Sequence, residues 1–139
     1  MFMYLQKNKK GFTLIELMVV VAIIGVLALL GLRLYTGQQQ KAKEAIVKAN
    51  AGTVHTIIQS ELADGAIDAT AMTALITSMN GSAGMQNPFG GTVVQASVAD
   101  DAAGVVEVTT VSTTEFTIQG YSGDSTPAAL YTTPLTAKR

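Results

Sequence analysis

One acidic side chain stands inside the longest apolar segment of the chain, and it makes the clearest chemical demand in the sequence. Glu16 is the only charged residue between Phe12 and Leu32. A carboxylate within an apolar helix costs roughly 2.5–3.5 kcal/mol on membrane-insertion scales, so it needs a partner. The simplest alternative is that Glu16 lies at the membrane interface and interacts with the N-terminal end of the helix dipole.

Other residues that could do chemistry are few. The sequence has no cysteine, which excludes disulfides, thiol catalysis and cysteine-ligated metals. His55 is the only histidine, and we expect it to be solvated or to lie at the edge of the core rather than to bind a metal. The segment Asn80-Gly81-Ser82 fits a glycosylation acceptor, but Asn-Gly is first a turn former. No catalytic constellation remains, so we expect no enzymatic activity.

Calcium is the one cofactor that the sequence brings into question. Hard oxygen ligands suit this ion, and two groups of such residues occur in the C-terminal half. They are Asp100 with Asp101, and Asp124 with Ser122, Ser125 and Thr126. Neither group has the spacing of a calcium-binding loop, so we expect turn-forming and solubility roles and no cofactor.

The composition points to a membrane segment. The chain has 139 residues, of which 48% are hydrophobic and only 14% are charged, and the apolar excess is concentrated in residues 12–32. As a helix this segment would span ~31 Å, close to the ~30 Å hydrocarbon core of a bilayer. The net charge of −1 offers no broad basic surface, so no specific nucleic-acid binding is expected.

The residues directly before the apolar segment, together with its first residues, resemble the start of a known protein family. Three lysines precede it, at positions 7, 9 and 10, and Gly11 follows them directly. With Phe12 next and Glu16 five residues beyond Gly11, residues 7–32 resemble the start of type IV pilins and of the pseudopilins of type II secretion and competence systems. The resemblance implies a leader peptide, residues 1–11, which a prepilin peptidase removes between Gly11 and Phe12. It also implies that the same enzyme N-methylates Phe12.

Cleavage would give the Glu16 carboxylate its partner. The new α-amine of Phe12 would lie one helical turn before Glu16. The same amine on a neighbouring copy would serve equally well, and that pairing would fix the axial register between adjacent helices. Phe12 and Glu16 are therefore the predicted assembly residues.

A long helix is the simplest structure for the first part of the chain. No proline interrupts residues 12–62, of which residues 12–32 would cross the membrane or form the filament core. In the second half of this helix, apolar and small residues recur at three- and four-residue steps and predict the face that packs on the head. They are Ala42, Ala45, Ile46, Ala49, Thr53 and Ile57. Ala63-Asp64-Gly65 supplies the helix end.

Residues 63–139 are expected to form a small globular head. Asp68 or Thr70 would cap a short helix at 68–79, whose apolar stripe, Met72 to Met79, would serve packing. Strands are predicted at about 92–98, 105–111 and 115–121, in an antiparallel meander, with Phe116 and Ile118 facing the core. Residues 122–139 are expected to form a surface loop and tail, held by packing, hydrogen bonds or an ion. The predicted fold class is α+β, with the long helix packed on a small antiparallel sheet in a pilin-like ladle.

The expected function is that of the major structural subunit of a type IV pilus, for adhesion, motility or DNA uptake. The alternative is a pseudopilin of a type II secretion or competence system, and a remote alternative is a membrane-anchored binding protein. The implied partners are further copies of the chain, the prepilin peptidase, and the assembly platform with its ATPase. The chain would lie in the cytoplasmic membrane as a single-pass protein with its head outside, and then in the extracellular pilus.

Overall fold

The structure is a computed structural model that describes residues 11–82, 84–96, 103–123 and 126–139, without the side chain of Ser82. It contains two compact units, which divide after Gly37. The second unit is Gln38–Arg139 and holds the head.

Helix α1 runs from Leu14 to Asp64, where residues 12–62 were predicted. In the first unit, its large apolar side chains are at least 51% exposed, from Leu14 through Tyr35. This part of the helix therefore has no core of its own within the described residues. An apolar helix that is exposed all round needs lipid or other helices around it.

In the second unit, α1 buries a different face from the one predicted. Its buried residues are Val47, Asn50, Ala51, Val54, Ile58 and Leu62. In the predicted set, Ala42, Ala45, Ile46, Ala49 and Thr53 are exposed and Ile57 is half-buried. The prediction was wrong because this helix carries two stripes of suitable spacing, and the stripe with the branched side chains buries more apolar surface than the stripe of alanines.

Helix α2 runs from Ala69 to Ser82 and follows α1 after a short connection. Asp68 is its N-cap, since the Asp68 Oδ1 atom accepts a hydrogen bond of 2.7 Å from the amide of Ala71. Met72 and Met79 are buried in the core, so the apolar stripe serves packing. The helix extends three residues beyond its predicted end at Met79.

Four strands form one mixed sheet in the order β1-β2-β3-β4. They are β1 Val94–Ala96, β2 Val106–Ser112, β3 Glu115–Gly120 and β4 Leu135–Lys138. Strands β2, β3 and β4 pair in antiparallel fashion, whereas β1 pairs with β2 in parallel. The α+β fold is confirmed, and the prediction of three strands in an antiparallel meander is corrected in two respects, the parallel β1 and the additional β4.

Strand β4 lies in the segment that was predicted to be a tail. Pro134 directly precedes it, a position where a missing amide N–H costs no hydrogen bond within the strand. Its residue Ala137 is fully buried opposite Phe116 of β3. Pro134 is therefore compatible with a strand that begins at the next residue, Leu135.

The core of the head lies between the sheet and the second half of α1. Phe116 and Ile118 are fully buried, as predicted from the alternation along β3. Val54 and Ile58 of α1 belong to the same cluster, as does Met72 of α2. Gln119 is the next residue after Ile118, and alternation along β3 would place its side chain on the solvent side, but it is only 8% exposed. Its Nε2 atom donates a 3.1 Å hydrogen bond to the carbonyl of Tyr131, so the C-terminal segment covers it.

Side chains from the two helices cover both edges of the sheet. At the β4 edge, Gln59 of α1 donates to the carbonyl of Lys138 at 2.9 Å and accepts from its amide at 3.2 Å. His55 also reaches this edge, where its Nε2 atom lies 3.1 Å from the carbonyl of Thr136. At the β1 edge, Asn80 of α2 donates to the carbonyl of Val94 at 2.7 Å and accepts from the amides of Val93 and Val94 at 2.9 Å.

The segment after β3 is fastened without a disulfide. Ser122 receives the amide of Ala128 on its hydroxyl oxygen at 3.0 Å, and Leu130 donates its amide to the carbonyl of Gly120 at 2.8 Å. The Tyr131 hydroxyl donates to the carbonyl of Lys48 on α1 at 3.0 Å. Burial raises the pKa of Tyr131, so this hydroxyl keeps its proton at neutral pH and remains a donor. Packing and hydrogen bonds thus hold this segment. Both were among the three predicted possibilities, of which the third was a bound ion.

Candidate functional site

The predicted site occupies the start of α1. Gly11, Phe12 and Thr13 precede the helix, and all three are exposed, with Phe12 93% exposed. The bond between Gly11 and Phe12 therefore lies in non-helical backbone outside the first turn. A protease must bind its substrate in extended form, and a glycine before the bond places no side chain in the way.

Glu16 is held by Thr13 in a reciprocal capping arrangement. The Oε2 atom of Glu16 accepts two hydrogen bonds of 2.8 Å, from the amide and from the hydroxyl of Thr13. The amide of Glu16 in turn lies 3.3 Å from the hydroxyl oxygen of Thr13. This is a capping box, in which a threonine N-cap and a glutamate three residues later satisfy each other's backbone. In the uncut chain, the carboxylate therefore has a partner on its own helix.

Thr13 is the functional residue that the sequence analysis missed. Its signal was present in the spacing Thr13-Leu14-Ile15-Glu16, which matches the capping-box pattern before an apolar run. The same geometry places the oxygen of Glu16 next to the backbone that directly follows Phe12. A positive charge created at the Phe12 nitrogen would appear within one residue of the existing hydrogen bond.

The surface beyond Glu16 is apolar on every side. An 18-residue window of α1 is long and apolar enough to cross a membrane, and none of it is buried within the described protein. The side chains of Phe12, Ile15, Val19 and Val20 line a shallow depression around Glu16. The carboxylate is therefore surrounded by side chains that would contact lipid or another helix.

The other candidate residues give no site. His55 lies on α1, and its contact to the carbonyl of Thr136 requires that Nε2 donates, which is a structural role at the sheet edge. Asn80 uses its Nδ2 atom, the atom that a glycan would occupy, for the bond to Val94. In the part of the chain that the structure describes, no group of three or more acidic or histidine side chains could hold a metal.

Of the residues predicted as possible calcium ligands, Ser122 and Thr126 are among the described residues. Asp100, Asp101, Asp124 and Ser125 lie outside the described residues, as do residues 1–10 of the leader. Of the second group, Ser122 is buried and its hydroxyl oxygen is engaged by the amide of Ala128.

The same N-terminal segment matches the model of a known protein family. The model of the prokaryotic N-terminal methylation motif matches residues 6–32. These residues contain Gly11, Phe12 and Glu16, together with most of the apolar segment.

The most similar curated proteins include fimbrial subunits. The chain is 49% identical over 60 residues to the fimbrial protein EcpB of Eikenella corrodens, which covers 43% of this chain and 38% of the relative. It is 44% identical over 57 residues to a type IV major fimbrial protein FimA of Dichelobacter nodosus, covering 41% and 36%. It is also 35% identical over 77 residues to the prepilin peptidase-dependent protein A of Clostridium perfringens, covering 55% of each chain.

The similarity stops short of whole chains. The chain matches less than two-fifths of the length of EcpB and FimA. No solved structure matches it. The head beyond α1 therefore has to be understood from its own residues.

Proposed function

We propose that this chain, which is a type IV pilin by its N-terminal segment, is the major structural subunit of a type IV pilus. The observation that carries the proposal is the single carboxylate, Glu16, in an exposed apolar helix directly after the Gly11–Phe12 bond. The methylation motif at residues 6–32 and the relatives named as major fimbrial proteins support it. The function is mechanical, since the subunit works by being part of a polymer.

Processing is the first step of the proposed function. A prepilin peptidase cleaves after Gly11 and methylates the new amino terminus of Phe12. Before cleavage the chain lies in the cytoplasmic membrane with its leader in the cytoplasm and its head outside. The exposed, non-helical position of the Gly11–Phe12 bond supports this step.

Assembly provides the positively charged partner that the Glu16 carboxylate needs in apolar surroundings. In the polymer, the Phe12 amine of one subunit pairs with the Glu16 carboxylate of a neighbour, because both charges are then neutralised in apolar surroundings. The hydrogen bonds from Thr13 hold the carboxylate near the helix start, where such an amine would arrive. The exposed apolar side chains of α1 pack against those of other subunits. An assembly platform and its ATPase drive the process.

The direct test is the mass of protein sheared from the cell surface. We expect an intact mass and an N-terminal peptide that begin at methylated Phe12, in material abundant in the sheared fraction. The same processed chain confined to membranes would favour a pseudopilin of a secretion or competence system. A chain that begins at Met1 in every fraction would contradict both and leave a membrane-anchored binding protein.

Replacement of Glu16 separates assembly from folding. The Glu16→Ala variant should be cleaved and should fold its head normally, yet give no sheared filaments. Glu115→Ala is the control, because Glu115 is an acidic residue of the head on β3, and its partly exposed ion pair with Lys138 at 3.8 Å contributes ~0–1 kcal/mol. Normal filaments from Glu16→Ala would refute the pairing.

A further inference from the structure

The charges of the second unit are segregated along the chain. Lys41, Lys43 and Lys48 lie in α1, and from residue 49 to residue 137 the sequence has no lysine or arginine. The same stretch contains eight acidic residues, and the first of these, Glu61 and Asp64, end the same helix. One helix thus carries a basic segment and an acidic end.

Four of these charged residues, Lys41, Lys48, Glu61 and Asp64, have no ion-pair partner within the described part of the chain. Lys43 lies over the ring of Phe89, 5.0 Å from its centroid. Lys41, Lys48, Glu61 and Asp64 are exposed. The ion pair found among the described residues joins Lys138 to Glu115 and involves none of them.

Lys41 and Lys48 lie on one flank of α1, together with Glu44, whereas Glu61 and Asp64 lie on the opposite flank, together with Lys43. Val47, Val54 and Ile58 mark the buried face. At ~100° per residue, Lys41 and Lys48 lie ~90–110° to one side of that face, and Glu61 and Asp64 lie ~50–110° to the other. They cannot reach each other within one chain, since the helix separates them by ~20 Å or more along its axis.

The outward face between the flanks is free of charge. It consists of small side chains that repeat at helical spacing, namely Ala42, Ala45, Ala49, Thr53, Thr56, Ser60 and Ala63. They are all exposed. Small residues allow two helices to approach closely, so they leave room for the long lysine and glutamate side chains at the rim to meet those of a neighbour.

We infer that the head half of α1 docks laterally on a second copy of this chain, with Lys41 and Lys48 of one subunit facing Glu61 and Asp64 of the next. Because the two flanks carry complementary charges, each copy can contact one neighbour through its lysine flank and a second neighbour through its acidic flank. Such a head-to-tail contact repeats without closing on itself and therefore propagates a polymer. The inference rests on the proposed function and names the surface by which the heads are kept in register.

The contact also fixes an offset between neighbours. The midpoint of the lysines and the midpoint of the acids are ~18 residues apart, which is ~27 Å along the helix axis. Neighbours that use this contact are therefore shifted by about that distance. The contact is salt-sensitive, because exposed charges are screened within ~8 Å at physiological ionic strength.

Cysteine pairs test the contact directly, because the natural chain has no cysteine. The full chain with Lys48→Cys and Asp64→Cys, which lie nearly level in neighbours shifted by ~27 Å, is assembled in cells that make the pilus and is then oxidised. A disulfide within one chain is excluded, since it needs Cα atoms ~4.4–6.8 Å apart and these lie ~24 Å apart. We expect a series of disulfide-linked multimers on non-reducing gels.

The matched control is the pair Lys41→Cys and Lys48→Cys, which places both cysteines on the basic flank. We expect no such series from it, nor from either single variant. Multimers from the control pair at the same level, or none from the pair at 48 and 64, would overturn the contact. Wild-type chain that forms no sheared filaments would instead overturn the proposed function, so the two failures are distinguishable.

Charge exchange gives a second readout that does not depend on a thiol. Lys48→Glu and Asp64→Lys should each reduce filament recovery at low salt about fivefold, which corresponds to ~1 kcal/mol. The double variant should restore recovery, and Arg139→Glu should leave it unchanged. Equal losses in the single and double variants would overturn the contact and assign the losses to folding.

Discussion

Gln59 of α1 and Lys138 of β4, 79 positions apart, exchange two hydrogen bonds in the manner of a neighbouring strand. The Gln59 amide group supplies one donor and one acceptor, as a backbone peptide would. It therefore satisfies both outward-facing backbone groups of Lys138, at the edge where the sheet ends. At Lys138, the Gln59 side chain thus makes the two hydrogen bonds that the backbone of a further strand would make.

Replacing the donor of this pair should loosen β4. In Gln59→Glu the carboxylate still accepts from the Lys138 amide but faces its carbonyl with no proton, so we expect a loss of ~1–3 kcal/mol in the free energy of unfolding. Denaturant unfolding of the full chain in detergent, followed by tyrosine fluorescence, measures it. Gln38→Glu, an exposed glutamine of the same helix, is the control. Equal stability of the two variants would contradict the role of Gln59.

Asn80 performs the corresponding task at β1, with one donated and two accepted hydrogen bonds. Asn80→Asp keeps the acceptor and loses the donor to Val94, so we expect ~1–3 kcal/mol of destabilisation and faster amide exchange in β1. We also expect an unmodified Asn80 in the peptide mass spectrum, because its Nδ2 atom is engaged. A glycan at this position in folded protein would contradict that geometry.

Phe89 packs against two glycines in a way that leaves no space for a side chain. A Cβ atom at Gly123 would collide with the Phe89 ring, and one at Gly104 would meet both Phe89 and Asn87. Gly123→Ala should therefore destabilise the head by ~1–3 kcal/mol, measured by the same denaturation. The double variant with Phe89→Leu should recover part of the loss.

Gly52→Ala is the control for this substitution. Gly52 lies in α1 with nothing near the position of a Cβ atom. An alanine there should stabilise the helix by ~0.5–1 kcal/mol, because glycine is the poorer helix former. A loss of stability at Gly52 similar to that at Gly123 would show that the collision with Phe89 is not the cause.

Thr13 should matter through its hydroxyl. Thr13→Ala removes one hydrogen bond to Glu16 and the N-cap, at a cost of ~0.5–2 kcal/mol to the helix start, whereas Thr13→Ser retains both. We expect normal head folding in both variants and fewer sheared filaments for alanine alone. Identical filament yields for serine and alanine would show that the cap does not position Glu16.

The sequence predicted those parts of the structure that depend on near neighbours. Glu16 could be singled out because it is alone in an apolar segment, and Phe116 and Ile118 because alternation along one strand is local. The face of α1 could not be chosen, since alanines at 42, 45 and 49 fit the period as well as Val47 and Val54 do. Only the sheet, formed by residues distant in sequence, decides between them.

The remaining elements depend on contacts that no local pattern contains. Strand β4 is short and follows Pro134, so its sequence alone predicts an irregular tail. Only its pairing with β3 identifies it as a strand. Strand β1 pairs in parallel with β2 and is covered at its outer edge by Asn80, and both contacts join residues at least twelve positions apart in sequence. Gln119 alternates outward, but Tyr131 closes over it, and this contact comes from a segment without regular structure.

The covered edges bear on how a crowded population of such subunits can associate. An open strand edge recruits other strands and leads to aggregates that compete with ordered assembly. Here the outward backbone groups of Val94 and Lys138 already have partners from the chain's own helices. In the proposed polymer, strand exchange between heads must first break those bonds, whereas association through the exposed apolar part of α1 breaks none of them, so contacts between helices are favoured over contacts between strands.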